Sequence, residues 1–203
     1  ADAAKRHYET ACNYVIRDDA SAYHTFYFDP ETGAPLKGVT RQGYSDDSAW
    51  ARGQAWGISG IPFNYRYTKD ESAFNLFEGM TNYFLNRLPA DDVCYWDLIF
   101  GDGSGQSRDS SAAAVAVCGM HEMMKYLPET DEEKETYRRA MHGILRSLIQ
   151  GYVNPDMHPG APILLHGVYS WHSGKGVDEG NIWGDYFYME ALLRFYKDWQ
   201  LYW

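Results

Sequence analysis

Residues 47–88 read DSAWARGQAWGISGIPFNYRYTKDESAFNLFEGMTNYFLNRL, and two helical periods lie inside them. Over 47–67, Trp50, Ile58, Ile61 and Tyr65 mark an apolar side, with the small residues Ala51, Gly53, Ala55 and Gly57 set among them. Over 70–88, Phe74, Phe77, Tyr83 and Phe84 return to one face. Only TKD separates the two periods, and so short a link returns the chain antiparallel to itself. The expected unit is a helical hairpin.

Working outward, the same spacing predicts helices over 2–16, 109–126, 131–150 and 184–199. The segment RDSSAAAVAV opens the first of the downstream helices; Asp109 or Ser110 can cap it, and its alanines permit close helix contact. TDEEKE places acidic residues in the first turn of the next, where the helix dipole favours them. LPETD joins these two as briefly as TKD joins the first pair, whereas the links before 109 and before 184 are long and rich in Gly, Pro and Trp. Alternating short and long links describe hairpins whose long loops emerge at one end, and long loops carry function. YHTFYF is a candidate short strand followed by a DPETG turn, and no strand-rich region is expected. Six helices make three hairpins, half of a ring, in an all-α fold of one domain.

The chain has 203 residues, of which 28 are acidic and 18 basic, so its net charge is -10. That balance argues against a nucleic-acid partner, which requires a basic face. No apolar run reaches the roughly 18 residues that a membrane helix needs, so no membrane partner is expected. Cys12, Cys94 and Cys118 are too scattered for a disulfide framework and lack metal-ligand spacing, which points to free thiols in a reducing compartment. ADAAKRHYETACNYVI lacks the basic start and apolar run of a signal peptide, so a cytoplasmic location is expected. The 16% aromatic content, with 7 Trp and 17 Tyr, fits either sugar-stacking surfaces or a large aromatic core.

Chemistry concentrates in two segments. In TRQGYSDDSAWARGQAWG, 40–57, Asp46, Asp47 and Ser48 form an expected N-cap cluster, and Arg52 and Trp56 fall four apart on one helical face. A guanidinium beside an indole suits a sugar carboxylate, although on spacing alone an Arg packed on Trp at a helix surface is the commoner arrangement. In HGVYSWHSGKGVDEGNIWGDYFY, 166–188, Tyr169, Ser170, Ser173 and Lys175 place hydroxyls and an ammonium on a loop that Gly makes flexible, a combination suited to sulfate, phosphate or carboxylate. GKG lacks nucleotide-loop spacing, and GDGSG lacks a calcium ladder. His24 sits among aromatics, where a lone His is more often a satisfied core residue than a binding one. Asp185 could cap the last helix, Asp178 lies on its approach, and Asp97 in YWDLIF is the carboxylate with no evident duty. No pair announces itself as a general acid and its partner.

At SDDSAWARGQAWG the sequence resembles the unsaturated glucuronyl hydrolases of glycoside hydrolase family 88. YHTFYFDPETGAPLKGVTRQGYSDDSAW, YWDLIF followed by RDSSAAAVAV, and GDYFYMEALLRF carry the same resemblance in order. It implies that residues 1–203 are the C-terminal part of a single (α/α)6 toroid catalytic domain. It also implies an activity: release of 4,5-unsaturated uronic acid from glycosaminoglycan oligosaccharides left by lyases, with an aspartic acid protonating the vinyl ether and water adding across it. No cofactor and no metal are implied. The aspartates of the family lie upstream of the matched segment, so no catalytic residue is assigned in this chain, which is expected to be inactive without the missing N-terminal half. Substrate contacts are implied for His24, Gln42, Arg52, Trp56 and Tyr169, with Gly38 and Thr40 on an adjoining loop. Ser170, Ser173 and Lys175 reproduce a Ser-x-x-Ser-x-Lys pattern of members that accept sulfated fragments. An unsaturated rhamnogalacturonyl hydrolase acting on pectin fragments, and a non-catalytic carbohydrate-binding remnant, are the alternatives.

Overall fold

The computed structural model describes residues 2–198 and 200. Among these, six helices form: α1 (Asp2–Tyr14), α2 (Ala51–Thr68), α3 (Ser72–Leu85), α4 (Ser110–Met124), α5 (Glu133–Gly151) and α6 (Ile182–Tyr196). Two antiparallel ribbons accompany them, β1 (Thr25–Phe28) with β2 (Pro35–Val39), and β3 (Gly167–Ser170) with β4 (Lys175–Glu179). The described ribbons have two strands each, so the all-α expectation holds. The expected helix end at Trp199 lies outside the described residues.

α4 is the centre of the packing: it meets α2, α5 and α6, and α2 also meets α3. Its run of Ala and Val leaves no bulk to hold neighbours away, and 13 of its 15 residues are buried. Gly119 marks the closest approach, where a Cβ would stand 2.6 Å from the Ile58 carbonyl oxygen of α2. Pro62, inside α2, has no N–H to bond that carbonyl four residues back. Beneath α2 and α4 the core is filled by Ile58, Phe77, Met80, Phe84, Met120, Met123, Tyr137, Met141, Ile144 and Leu148. Each such side chain contributes about 1.5–3 kcal/mol by leaving water. Phe77 and Tyr137 meet edge to face at 5.5 Å and tie α3 to α5.

The three expected hairpins resolve into two closed pairs, α2–α3 and α4–α5, with α6 against α4 at one flank. α1 buries none of its residues completely; Tyr14 at its end packs on Phe26 and Phe28 of β1, and Tyr8 faces α2 across a cleft. Lys69 closes α2 in a left-handed conformation, its N–H bonded to the Tyr65 carbonyl, and the chain turns directly into α3. α6 leaves Ile182, Tyr186, Met189 and Tyr196 exposed along its length.

Several expected caps are corrected. α2 begins at Ala51 rather than 47, and its N-cap is Trp50, which makes no side-chain cap bond. A backbone bridge between Trp50 and Asp97 keeps the preceding chain extended, and the Ala51 N–H goes to the Trp96 carbonyl. The expected N-cap residues serve loops instead: Asp46 accepts from the Thr40 N–H at 2.7 Å, and the Ser48 hydroxyl donates to Asp97 at 2.6 Å. α4 is capped by Asp109 as expected. α6 is capped by Asn181, while Asp185 accepts the N–H groups of Ile163 and Leu164. The segment expected to be a flexible loop is the β3–β4 hairpin. Gly174 and Gly176 supply the positive φ that its turn and return strand require.

Candidate active site at the helix N-termini

α2, α4 and α6 begin at the same end of the molecule, and a single buried network joins their first turns. Arg52, only 3% exposed, donates from Nη1 to Asp109 Oδ2 at 2.6 Å, to Ser111 Oγ at 3.2 Å and to the Val168 carbonyl at 2.6 Å. Its Nη2 donates to the Tyr169 carbonyl at 3.0 Å. Ser111 Oγ donates to Asp109 Oδ1 and accepts the Trp183 indole N–H at 3.2 Å. The guanidinium carbon lies 4.7 Å from the Trp50 ring and 5.2 Å from the Trp183 ring, within cation–π range of both. Three helix N-termini around one guanidinium favour negative charge.

His24 closes one side of this arrangement, its ring 4.7 Å from that of Trp50. Its Nδ1 accepts the backbone N–H groups of Arg41 at 2.7 Å and Gln42 at 3.2 Å. A ring nitrogen that accepts carries no proton, so the neutral tautomer holds its proton on Nε2 and offers it as a donor. Burial, then the charges of Arg52 and Arg41, push the His24 pKa down and keep the ring neutral near pH 7.

Gln42 joins the group through its backbone. Thr40 accepts the Gly43 N–H and braces that loop, and Gly38 lies on β2, where a side chain would collide with the Tyr23 ring. Tyr169 is 46% exposed with its ring 5.7 Å from Trp183. Trp56, 38% exposed, lies one turn beyond Arg52 and packs at 5.1 Å on Phe187, which lies one turn beyond Trp183. Arg52 and Trp56 therefore share the face that meets α6. Ser170, Ser173 and Lys175 sit at the hairpin tip: Ser173 Oγ donates to the Ser170 carbonyl, and Lys175 pairs in register with Ser170. That tip is docked by Trp171, stacked on Trp96 at 5.0 Å, and by His172 Nε2, bonded to the Gly43 carbonyl.

Asp97 turns out to hold loops. It is fully buried, and its carboxylate accepts from the Tyr44 N–H, the Ser48 hydroxyl and the Ile99 N–H. Asp178 pairs with His166 at 2.7 Å. Sequence reasoning missed Trp50, Ser111 and Trp183, and it gave Asp109 only a capping role. The signal for Asp109 and Ser111 was present in the Asp-Ser-Ser run, whose polar atoms exceed what a cap needs.

No protein-family model matches the chain. Among curated proteins, it is 73% identical over 202 residues to the unsaturated chondroitin disaccharide hydrolase of Streptococcus pyogenes serotype M1, covering 100% of this chain and 51% of that protein. It is 39% identical over 200 residues to the unsaturated glucuronyl hydrolase of Bacillus sp. strain GL1, covering 98% of the chain and 53% of that protein. Crystallised unsaturated glucuronyl hydrolase from Streptococcus agalactiae superposes with a TM-score of 0.92 at 71% identity, over all of this chain and 54% of its own. A variant of that enzyme has been solved in complex with dGlcA-GalNAc6S. The chain thus spans about half the length of the curated relatives it matches, and by sequence and fold it belongs to the family of the unsaturated glucuronyl hydrolases.

Proposed function

We propose that this chain is the C-terminal, substrate-binding part of an enzyme that releases 4,5-unsaturated uronic acid from glycosaminoglycan oligosaccharides. The observation that carries the reading is the gathering of Arg52, neutral His24, Trp183 and exposed Tyr169 at the converging N-termini of α2, α4 and α6. An anionic sugar ring finds there a cation, a neutral donor and aromatic faces. Arg52 meets the uronate carboxylate, His24 and Gln42 orient the ring, and Trp56 and Tyr169 bound it. Gly38 and Thr40 shape the adjoining loop. Ser170, Ser173 and Lys175 receive the sulfate of the next sugar, which favours sulfated glycosaminoglycan over pectin fragments.

The reaction is hydration of a vinyl ether. A carboxylic acid gives its proton to C4, water adds its hydroxyl at C5, and the hemiketal opens and releases the second sugar. The acid belongs to the N-terminal half, which is the partner of this chain. The carboxylates near the site are engaged here: Asp109 pairs with Arg52 and Asp97 with three loop donors. The three free thiols fit a cytoplasmic protein, and no helix among the described residues is long and apolar enough to cross a membrane.

The test follows loss of ultraviolet absorbance as the double bond of an unsaturated chondroitin disaccharide is hydrated. A hybrid with this chain in place of the corresponding part of the Streptococcus agalactiae enzyme is expected to turn over, and the chain alone to leave the signal intact. A hybrid that folds but prefers unsaturated rhamnogalacturonan disaccharide would transfer the assignment to pectin.

A further inference from the structure

We infer that Asp109 is a positioning residue: acting through Arg52, it fixes the β3–β4 hairpin against the site and decides which guanidinium donors remain for a ligand carboxylate. This rests on the reading above, that Arg52 meets the uronate.

Capping does not account for a carboxylate at this position. The cap bond to the Ala112 N–H is long, 3.4 Å, and a neutral Asn or Ser would make it as well. The short contacts lie elsewhere, 2.6 Å to Arg52 and 2.5 Å to the Ser111 hydroxyl. Both charges are buried, and apolar groups of similar volume are often as stable in such a place. What an apolar pair cannot do is hold a guanidinium in one orientation.

That orientation has two consequences. First, Arg52 bonds the carbonyls of consecutive residues, Val168 and Tyr169. Consecutive carbonyls of a regular strand point to opposite sides, so one cation reaches both only where the strand is irregular. The β3–β4 register shifts between Gly167 and Val168, beside this point. The cation thus pins the strand at its irregularity, and Tyr169 and the Ser170–Lys175 tip follow from there. Second, of the five N–H donors of the guanidinium, Nη1 is committed to Asp109, Ser111 and Val168, and Nη2 gives one to Tyr169. Nε–H and the second Nη2–H take no part in this set, and they are the donors left for a carboxylate. Ser111, held by Asp109, also accepts the Trp183 indole N–H and so sets the ring that faces Tyr169.

The experiment is amide hydrogen exchange, read residue by residue by NMR on the 203-residue chain. Asp109→Asn keeps the cap acceptor and the shape and removes the charge. Arg52→Lys keeps a cation for Asp109, but its single nitrogen cannot hold both carbonyls in place. In both variants, protection across 167–179 is expected to fall at least tenfold further than that of Ile58, Ala114 and Met120 in α2 and α4, which fall only as far as the global stability does. Unchanged protection at the hairpin, or a loss of equal size in the hairpin and in the helices in both variants, overturns the positioning role. A titration with unsaturated chondroitin disaccharide and with its methyl ester then tests the remaining donors. The wild-type chain is expected to prefer the acid at least tenfold and Asp109→Asn to lose that preference. A wild-type chain that does not distinguish acid from ester sinks the uronate reading and the donor-setting role, and the exchange result alone then decides whether Asp109 positions the hairpin.

Discussion

Arg52 is bonded to four protein acceptors, so its removal acts on the fold and on binding together. Arg52→Ala leaves Asp109 buried without its counter-charge, which costs about 3–5 kcal/mol of stability. In the hybrid enzyme, binding of the unsaturated uronide is expected to weaken by about 2–5 kcal/mol in addition. A thermal melt and a Michaelis constant separate the two losses, and an unchanged Michaelis constant in a folded variant would remove Arg52 from the binding site. Asp97→Asn puts an amide N–H₂ among three donors that all need an acceptor. A loss of about 1–3 kcal/mol is expected by denaturant unfolding. His121 shows the pH dependence that burial creates. Burial, then the charges of Arg194 and Lys125, lower its pKa from 6.5 to about 4. The unfolded chain binds the proton at higher pH than the folded one, so the contribution of His121 is complete above pH 6.5 and is lost as pH falls from 6.5 towards 4. His121→Gln is expected to flatten the melting temperature against pH across that window relative to the wild type; parallel curves would contradict it.

At the scale of elements, the α2–α4 contact is set by the absence of a side chain. Gly119→Ala drives a methyl group onto the Ile58 carbonyl, backbone that cannot rotate away. The expected loss is about 3 kcal/mol, at the upper end of ordinary overpacking. In a domain of this size that lowers the melting temperature by about 6–12 °C. A melt within two degrees or so of wild type would show that α2 and α4 can part without penalty. The hairpin depends on different forces. Its tip is fastened by the Trp171–Trp96 stack and the His172 bond to Gly43, far in sequence from both strands. Trp171→Ala is therefore expected to raise proteolytic nicking between 170 and 176 while leaving the melt of the helices nearly unchanged.

For the whole molecule, the exposed side of α6 is the feature to explain. Ile182 and Tyr196 are 77% and 85% exposed, and Tyr186 and Met189 lie between them. An apolar concavity of about 650 Å³ lies between α1 and α2, lined by Tyr8, Phe63 and Tyr67 among others. Both surfaces are open among the described residues, and contiguous apolar surface of this kind promotes association. The isolated chain is expected to self-associate in a concentration-dependent way, read by light scattering, and Ile182→Ser with Met189→Lys to reduce this without lowering the melting temperature. A monodisperse wild-type monomer at high concentration would show that these faces are tolerated in water.

The helices were legible because their causes are local. The 3.6-residue return of Phe74, Phe77 and Phe84, the alanine run of α4 and the brevity of TKD and LPETD are written in neighbouring residues, and the structure places helices there. The resemblance supplied the family and the roles expected at His24 and Gln42, whereas the four-residue spacing of Arg52 and Trp56 and the hydroxyl-bearing loop at Tyr169 offered a local reason that the resemblance sharpened. Caps were less secure, because Asp46, Ser48 and Asp185 can satisfy amides anywhere the fold brings to them, and it brought those of Thr40, Ile163 and Leu164. The β3–β4 hairpin was hidden for the same reason: its alternation is poor, and it is held by Arg52 and Trp96, which lie about 115 and 75 residues away in the chain. The sequence by itself determined where the chain is helical, because hydrophobic period and link length act over a few residues. Only the tertiary structure decided that Asp109, Arg52, Ser111 and Trp183 form one network, because burial makes distant charges choose one another and no local pattern records that choice.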